Sequence, residues 1–269
     1  MLWQCWNERS PELVSCLTFD IETVPDTSLG ARLLGLEGIS DKDIAKAMSF
    51  HQMQEKGSDF LPLYQHRIVA IAAAWRSKDG FKVWSLGEED SDEKELIQRF
   101  YDGIDRFTPD LVSWNGAGFD LPVLHYRALL HGVQSPRYWE HGDEDRSFRY
   151  NNYLSRFHWR HIDLMDVLAG FQGRARAPLD AVATMLGFPG KMGMAGDKVW
   201  DCFLNGGIRD IRNYCETDVL NTYLVYLRFQ YMRGHLDDKD LELEYRCVSD
   251  VLEASEETHL HEFLRVWHS

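Results

Sequence analysis

The chain has 269 residues, 44% hydrophobic and 27% charged, which fits a globular protein with a sizeable core and excludes a disordered one. Its net charge of −14 argues against a passive nucleic-acid binder, whose footprint is basic, but not against an enzyme that meets phosphates through bound divalent cations. No window approaches the ~18 consecutive apolar residues of a membrane helix. The N-terminus has no apolar signal core, and the five cysteines (Cys5, Cys16, Cys202, Cys215, Cys247) form no CxxC pair, so a cytoplasmic, reducing location with neither disulfides nor a zinc site is expected.

The run from Val14 to Ile21 is apolar and rich in β-formers, which predicts a strand with Asp20 and Glu22 at its end. "PDTSLGARL" reads as a loop, and "SDKDIAKAMSFHQMQ" as a helix capped by Ser40. Residues 67–77 and 81–86 are two further strands joined by the turn "KDG". Leu96, Ile97, Phe100, Tyr101, Ile104 and Phe107 recur at helical spacing. "PDLVSWN" is a strand, and "LPVLHYRALLHG" a helix that stops at Gly132. Residues 133–160 read as a long loop or insertion, of the kind that is functional or mobile. From residue 161 the pattern is helical almost to the end, with breaks at "FQGRARAP", "GFPGKMGMAGDK" and "NGG". The expected architecture is α/β, a mixed sheet with helices packed on it.

Three stretches carry chemistry. In a strand, residues i and i+2 share a face, so Asp20 and Glu22 converge and repel one another unless a cation lies between them. A divalent ion is the natural filler, since hard cations take oxygen ligands, although an isolated DxE recurs by chance. In "LVSWNGAGFDLPVL", residues 111–124, Gly116 and Gly118 permit a tight turn or a close approach to a ligand. Asp120 is then either a helix N-cap or a metal ligand. In "IRNYCETDVLNTYLVYL", residues 211–227, Tyr214 and Asp218 share a helix face. An Asp on a partly buried helix needs a partner, and Tyr214 is otherwise a core aromatic with a bonded tip.

Together the stretches resemble the 3′→5′ exonucleases of the RNase H-like (DnaQ-like) superfamily that carry four acids and a tyrosine. The chain is most similar to the exonuclease domain of family B DNA polymerases, and in particular to stand-alone bacterial exonucleases related to it. D-x-E-T matches Asp20-Ile21-Glu22-Thr23, N-x₂₋₃-F/Y-D runs from Asn115 to Phe119-Asp120, and Y-x₃-D matches Tyr214 to Asp218. The resemblance covers roughly residues 14–230. It implies an RNase H-like mixed sheet and a division into an exonuclease domain, 1–232, and a helical C-terminal extension, 233–269.

It also implies that Asp20, Glu22, Asp120 and Asp218 hold two divalent ions, Mg²⁺ or Mn²⁺. Tyr214 would orient the attacking water, and Thr23, Asn115 and Phe119 would contact the terminal nucleotides. The expected activity is removal of nucleotides from the 3′ end of single-stranded or frayed DNA. An exoribonuclease or a non-catalytic nucleic-acid-binding module are the alternatives. Asp163 and Asp166 are read as a helix cap and a first-turn acid or as extra ligands. Lys191 and Lys198 are placed on a loop that could touch phosphate, and His161 is expected to make a structural hydrogen bond.

Overall fold

The computed structural model describes residues 15–269. Val14, at the start of the first expected strand, lies outside the described residues. A five-stranded sheet runs in the order β3-β2-β1-β4-β5. The strands are β1 (Cys16–Pro25), β2 (His66–Ser77), β3 (Gly80–Ser85), β4 (Asp110–Ser113) and β5 (His161–Asp163). β1 pairs antiparallel with β2 and parallel with β4, β2 pairs antiparallel with β3, and β4 pairs parallel with β5. Around it lie α1 (Thr27–Leu34), α2 (Asp41–Lys56), α3 (Glu93–Phe107), α4 (Asp120–His131), α5 (Pro136–Trp139), α6 (Leu164–Leu168), α7 (Leu179–Met185), α8 (Val199–Leu204), α9 (Ile208–Met232), α10 (Asp238–Glu253) and α11 (Thr258–Trp267). This is the α/β, RNase H-like arrangement that the sequence implied.

Alternation along β1 and β2 sorts the core into two layers. Leu17, Phe19, Ile21, Ile71 and Ala73 pack with α3 and α4. Cys16, Ala72 and Ala74 face the opposite way, toward Val219, Leu220 and Tyr223 of α9. Ala70, Ala72 and Ala74 are fully buried, and such short side chains let α9 lie close to the sheet. α10 and α11 share this second layer through Val248, Leu252, Leu260 and Phe263, and a buried Arg76–Glu244 ion pair at 2.6 Å ties α10 to β2.

Three expectations need correction. β1 runs on to Pro25, so Asp20 and Glu22 lie within the strand rather than at its end. "PDTSLGARL" forms α1 instead of a loop. Its Asp26 carboxylate accepts the Leu29 N–H at 2.9 Å, and a Cβ on Gly30 would meet the Met48 sulfur at 2.2 Å. The glycine that lowers helix propensity is therefore what lets α2 pack against α1. His161–Asp163 is an edge strand rather than the start of a helix; three residues are too few for periodicity to register, and pairing with β4 decides the outcome. Residues 133–160 are the long, mostly irregular segment expected, and they are packed: Tyr138, Phe148 and Tyr153 are buried, and the Tyr153 hydroxyl donates to the Pro109 carbonyl at 2.6 Å. Among the described residues, no helix is long and apolar enough to cross a membrane.

Candidate active site

The site gathers at the ends of three elements. On β1, Asp20 and Glu22 point to the α9 side. The ladder with β4 stops at Thr18↔Val112, leaving the next part of that strand edge without a strand partner. There the first residue of α4 takes over, with Asp120 accepting the Ile21 N–H at 3.1 Å. Asp120 is thus tethered between the two strand acids and is not the N-cap, a position held by Phe119. The turn that delivers it is tight: a Cβ on Gly116 would meet Ser113 Oγ at 2.2 Å. Asn115 adopts a left-handed φ of 65°, a conformation uncommon for a residue with a side chain. Asp163 fixes the turn by accepting the N–H groups of Asn115 and Ala117, each at 2.9 Å. It also caps α6 through the Asp166 N–H, as the sequence suggested.

α9 supplies the rest. Tyr214 lies one helical turn from Asp218 on the same face, close enough for each to shift the other's proton affinity. Cys215, between them in sequence, faces the sheet. Its thiol donates to the Asp20 carbonyl at 3.4 Å and to Asp20 Oδ2 at 3.5 Å. One ligand atom from each of Asp20, Glu22 and Cys215 lies within 4.8 Å of the others. Lys191 is close enough to pull the proton affinity of both Glu22 and Asp218 downward.

The electrostatics are those of a crowded acid cluster. Burial raises the Asp20 carboxyl well above its ordinary range, and Asp120, Glu22 and Asp218 push it further. Glu22 is raised well above its range by burial and then by Asp218 and Asp120, against the pull of Lys191. Asp120 is pushed up to about 7, chiefly by burial, despite the Ile21 N–H. Asp218 rises to about 6, burial outweighing Tyr214 and Lys191. The Tyr214 phenol is driven far above 10 by burial and the neighbouring acids, so it is a neutral donor at physiological pH. Burial likewise raises the Cys215 thiol, which stays protonated as a hydrogen-bond donor to Asp20.

Thr23 Oγ1 bonds His66 Nδ1 at 2.9 Å, and the Phe119 ring meets His66 edge-on with centroids 5.2 Å apart. Thr23, Asn115 and Phe119 are all only partly buried, so each keeps some exposed surface beside the acids. His161 makes the structural bond expected of it, 2.8 Å to Ser113 Oγ. Lys198 pairs with Asp197 on the surface. Sequence reasoning missed two participants, Cys215 and the clamp role of Asp163. Cys215 had a signal: it lies three residues before Asp218, on the face marked by Ile211 and Val219.

A family described as a predicted 3′-5′ exonuclease related to the exonuclease domain of PolB matches residues 58–267. The chain belongs to this family. The match takes in Asp120, Tyr214 and Asp218 as well as both C-terminal helices, and begins after Asp20 and Glu22. A DNA polymerase from Pyrococcus glycovorans is 28% identical over 134 residues, 47% of this chain and 16% of the polymerase. The stretch shared with that relative is thus a small part of its length.

Proposed function

We propose that the protein is a metal-dependent 3′→5′ exonuclease that removes nucleotides from the 3′ end of single-stranded or frayed DNA. The observation that carries the reading is the convergence of Asp20, Glu22, Asp120 and Asp218. All are raised by burial, and the two strand acids are raised further by their neighbours. Such a group needs positive charge that Lys191 alone does not supply. The donor set is oxygen-only once the neutral thiol is set aside, which suits Mg²⁺ or Mn²⁺ and disfavours zinc. The four carboxylates would hold two such ions. When bound, these supply charge for the phosphodiester oxygens and a more acidic water.

The chain's own residues then have distinct tasks. Water attacks the terminal phosphorus in line, the bond from phosphorus to the penultimate O3′ breaks, and a nucleoside 5′-monophosphate leaves. Tyr214, neutral and beside Asp218, orients the attacking water through its hydroxyl, with Glu22 assisting. Thr23 and Asn115 offer polar contacts to the sugar or phosphate. Phe119 offers a face for stacking, which accepts any base. We assign this activity to residues 1–232, with 233–269 as a helical addition that completes the core.

The test uses purified protein with Mg²⁺ or Mn²⁺ on single-stranded DNA and RNA of one sequence, labelled at either end. A 5′-labelled DNA strand should shorten as a ladder, and the 3′ label should leave at once as mononucleotide. Cleavage of RNA alone would replace the reading with an exoribonuclease, and cleavage of neither strand would sink it.

A further inference from the structure

One stretch of the chain is short of exposed carboxylates. The protein has 43 acidic residues in 269, yet from Arg146 to Leu179 the only carboxylates are Asp163 and Asp166, and both are buried. The same stretch holds six arginines. Asp166 receives two of them, Arg156 at 2.8 Å and Arg176 at 2.5 Å. One guanidinium suffices to neutralise one carboxylate, so the group carries a net positive charge. It also leaves Nε and Nη1 of Arg156 and Nη1 of Arg176 without an acceptor among the described residues. The exposed Arg174 makes no ion pair among the described residues.

Two aromatic rings lie beside Arg156. Phe157 is 67% exposed, and its ring meets Phe171 at 4.9 Å. The Arg156 guanidinium lies 5.2 Å from the Phe171 ring centre. Phe171 holds this position at a φ of +60°, secured by its N–H to the Asp166 carbonyl at 2.8 Å. The group is joined to the site, since the Asp166 N–H donates to the same Asp163 carboxylate that clamps the Asn115–Ala117 turn ahead of Asp120.

We propose that Arg156 and Arg176, braced by Asp166, together with the exposed Arg174 and the Phe157 and Phe171 rings beside Arg156, bind the phosphodiester and base of single-stranded DNA a few nucleotides back from its 3′ end. The proposal rests on the exonuclease reading. It explains how a protein of charge −14 holds a polyanion beyond the reach of ions at the acid cluster: forked guanidinium donors suit phosphate, and aromatic faces take any base.

The experiment compares two double variants with the unaltered protein. Phe157→Ala/Arg174→Ala changes only exposed groups. Arg156→Lys/Arg176→Lys keeps Asp166 paired but removes the forks. Binding of 5′-labelled dT12 is read by fluorescence anisotropy in metal-free buffer, with thermal melts to verify folding. Each double variant should weaken binding about tenfold, and loss of Arg174 should flatten the salt slope by roughly 0.7. In Mg²⁺, KM for dT12 should rise with kcat unchanged, and dinucleotide hydrolysis should not change.

Unaltered dT12 affinity in both variants, equal damage to dinucleotide and dT12 hydrolysis, or no binding of dT12 by the unaltered protein at low salt would each overturn the subsite. Protein that binds dT12 through these residues but never cleaves it would instead overturn the exonuclease reading and leave the subsite standing.

Discussion

The far half of β1 carries two buried acidic groups with opposite electrostatics. At its end, Asp26 and Glu93 share Arg127, whose guanidinium reaches Asp26 at 2.6 Å and Glu93 at 2.7 and 2.5 Å. Glu93 also takes the Ile68 N–H and His131. Burial alone would raise the Asp26 carboxyl, but the Leu29 N–H and Arg127 overcome it and hold it below its ordinary range. A few residues earlier, Asp20 and Glu22 face Asp120 and Asp218 with no guanidinium of the described residues among them, and all four rise. The first group is finished as folded and welds α1, α3 and α4 to β1. The second keeps a mutual repulsion in the folded state, and that repulsion is the ground on which the proposed metal-dependent site rests.

The difference is tested most strongly by neutralising one member of each group. Asp218→Asn or Asp20→Asn should cut nuclease turnover by at least ~10²–10³-fold, the scale of losing one electrostatic contact in a preorganised site. Either should leave the melting temperature in metal-free buffer at pH 8 unchanged or higher, because a repulsion is relieved. A lower melting temperature would show that these acids are structural. Arg127→Met should do the reverse. It leaves the buried Asp26 and Glu93 without their shared guanidinium, a loss of about 3–5 kcal/mol, read as a lowered denaturation midpoint. A midpoint within error of the parent would mean that water reaches the pair.

The pH dependence separates the groups next. Asp120 and Asp218 bind their protons more tightly folded, at about 7 and about 6, than at the ordinary value of 3.8. Their contribution to stability is therefore fully present below pH ~4 and is lost as pH rises through 6 and 7. Asp26, with its lowered value, contributes above its unfolded value of 3.8 and loses that contribution as pH falls further. Metal-free protein should thus lose stability between pH 4 and 7, by an amount on the order of a few kcal/mol at ~1.4 kcal/mol per tenfold change in proton affinity. Millimolar Mg²⁺ should flatten the slope by binding the ionised folded form. An equal slope with and without Mg²⁺ would argue that the ion does not meet these carboxylates.

Much of this was legible in the residues. The continuous apolar, β-former-rich runs of β1 and β2, buried on both faces, and the helical pattern of α3, α4 and α9 located the main elements, because each run is long enough to register. The four acids and Tyr214 were legible as short motifs whose order carries more information than any one of them. What stayed hidden depended on contacts distant in sequence. α1 needs Met48 beside Gly30, β5 needs the edge of β4, and the Asp163 clamp needs a turn that lies 46 residues away in sequence. The Arg127 network was invisible for the same reason, since its members come from three helices and nothing in local spacing joins Asp26 to Glu93.

The smallest expected effect sharpens the role of Tyr214. Its hydroxyl lies beside Asp218 and stays protonated near neutral pH, which suits the proposed task of fixing the attacking water and not that of a base. Tyr214→Phe removes one oxygen from a ring that is 8% exposed and leaves the packing surface in place. Turnover should fall by about tenfold, below the ~10²–10⁴ typical of a true proton-transfer group. KM for single-stranded DNA should stay within about twofold, because positioning contributes at the transition state and not in the ground state. The lost hydroxyl should change stability by only about 1 kcal/mol. Losing kcat and DNA affinity in equal measure would instead make Tyr214 a substrate contact, and the attacking water would then be oriented by Glu22 alone.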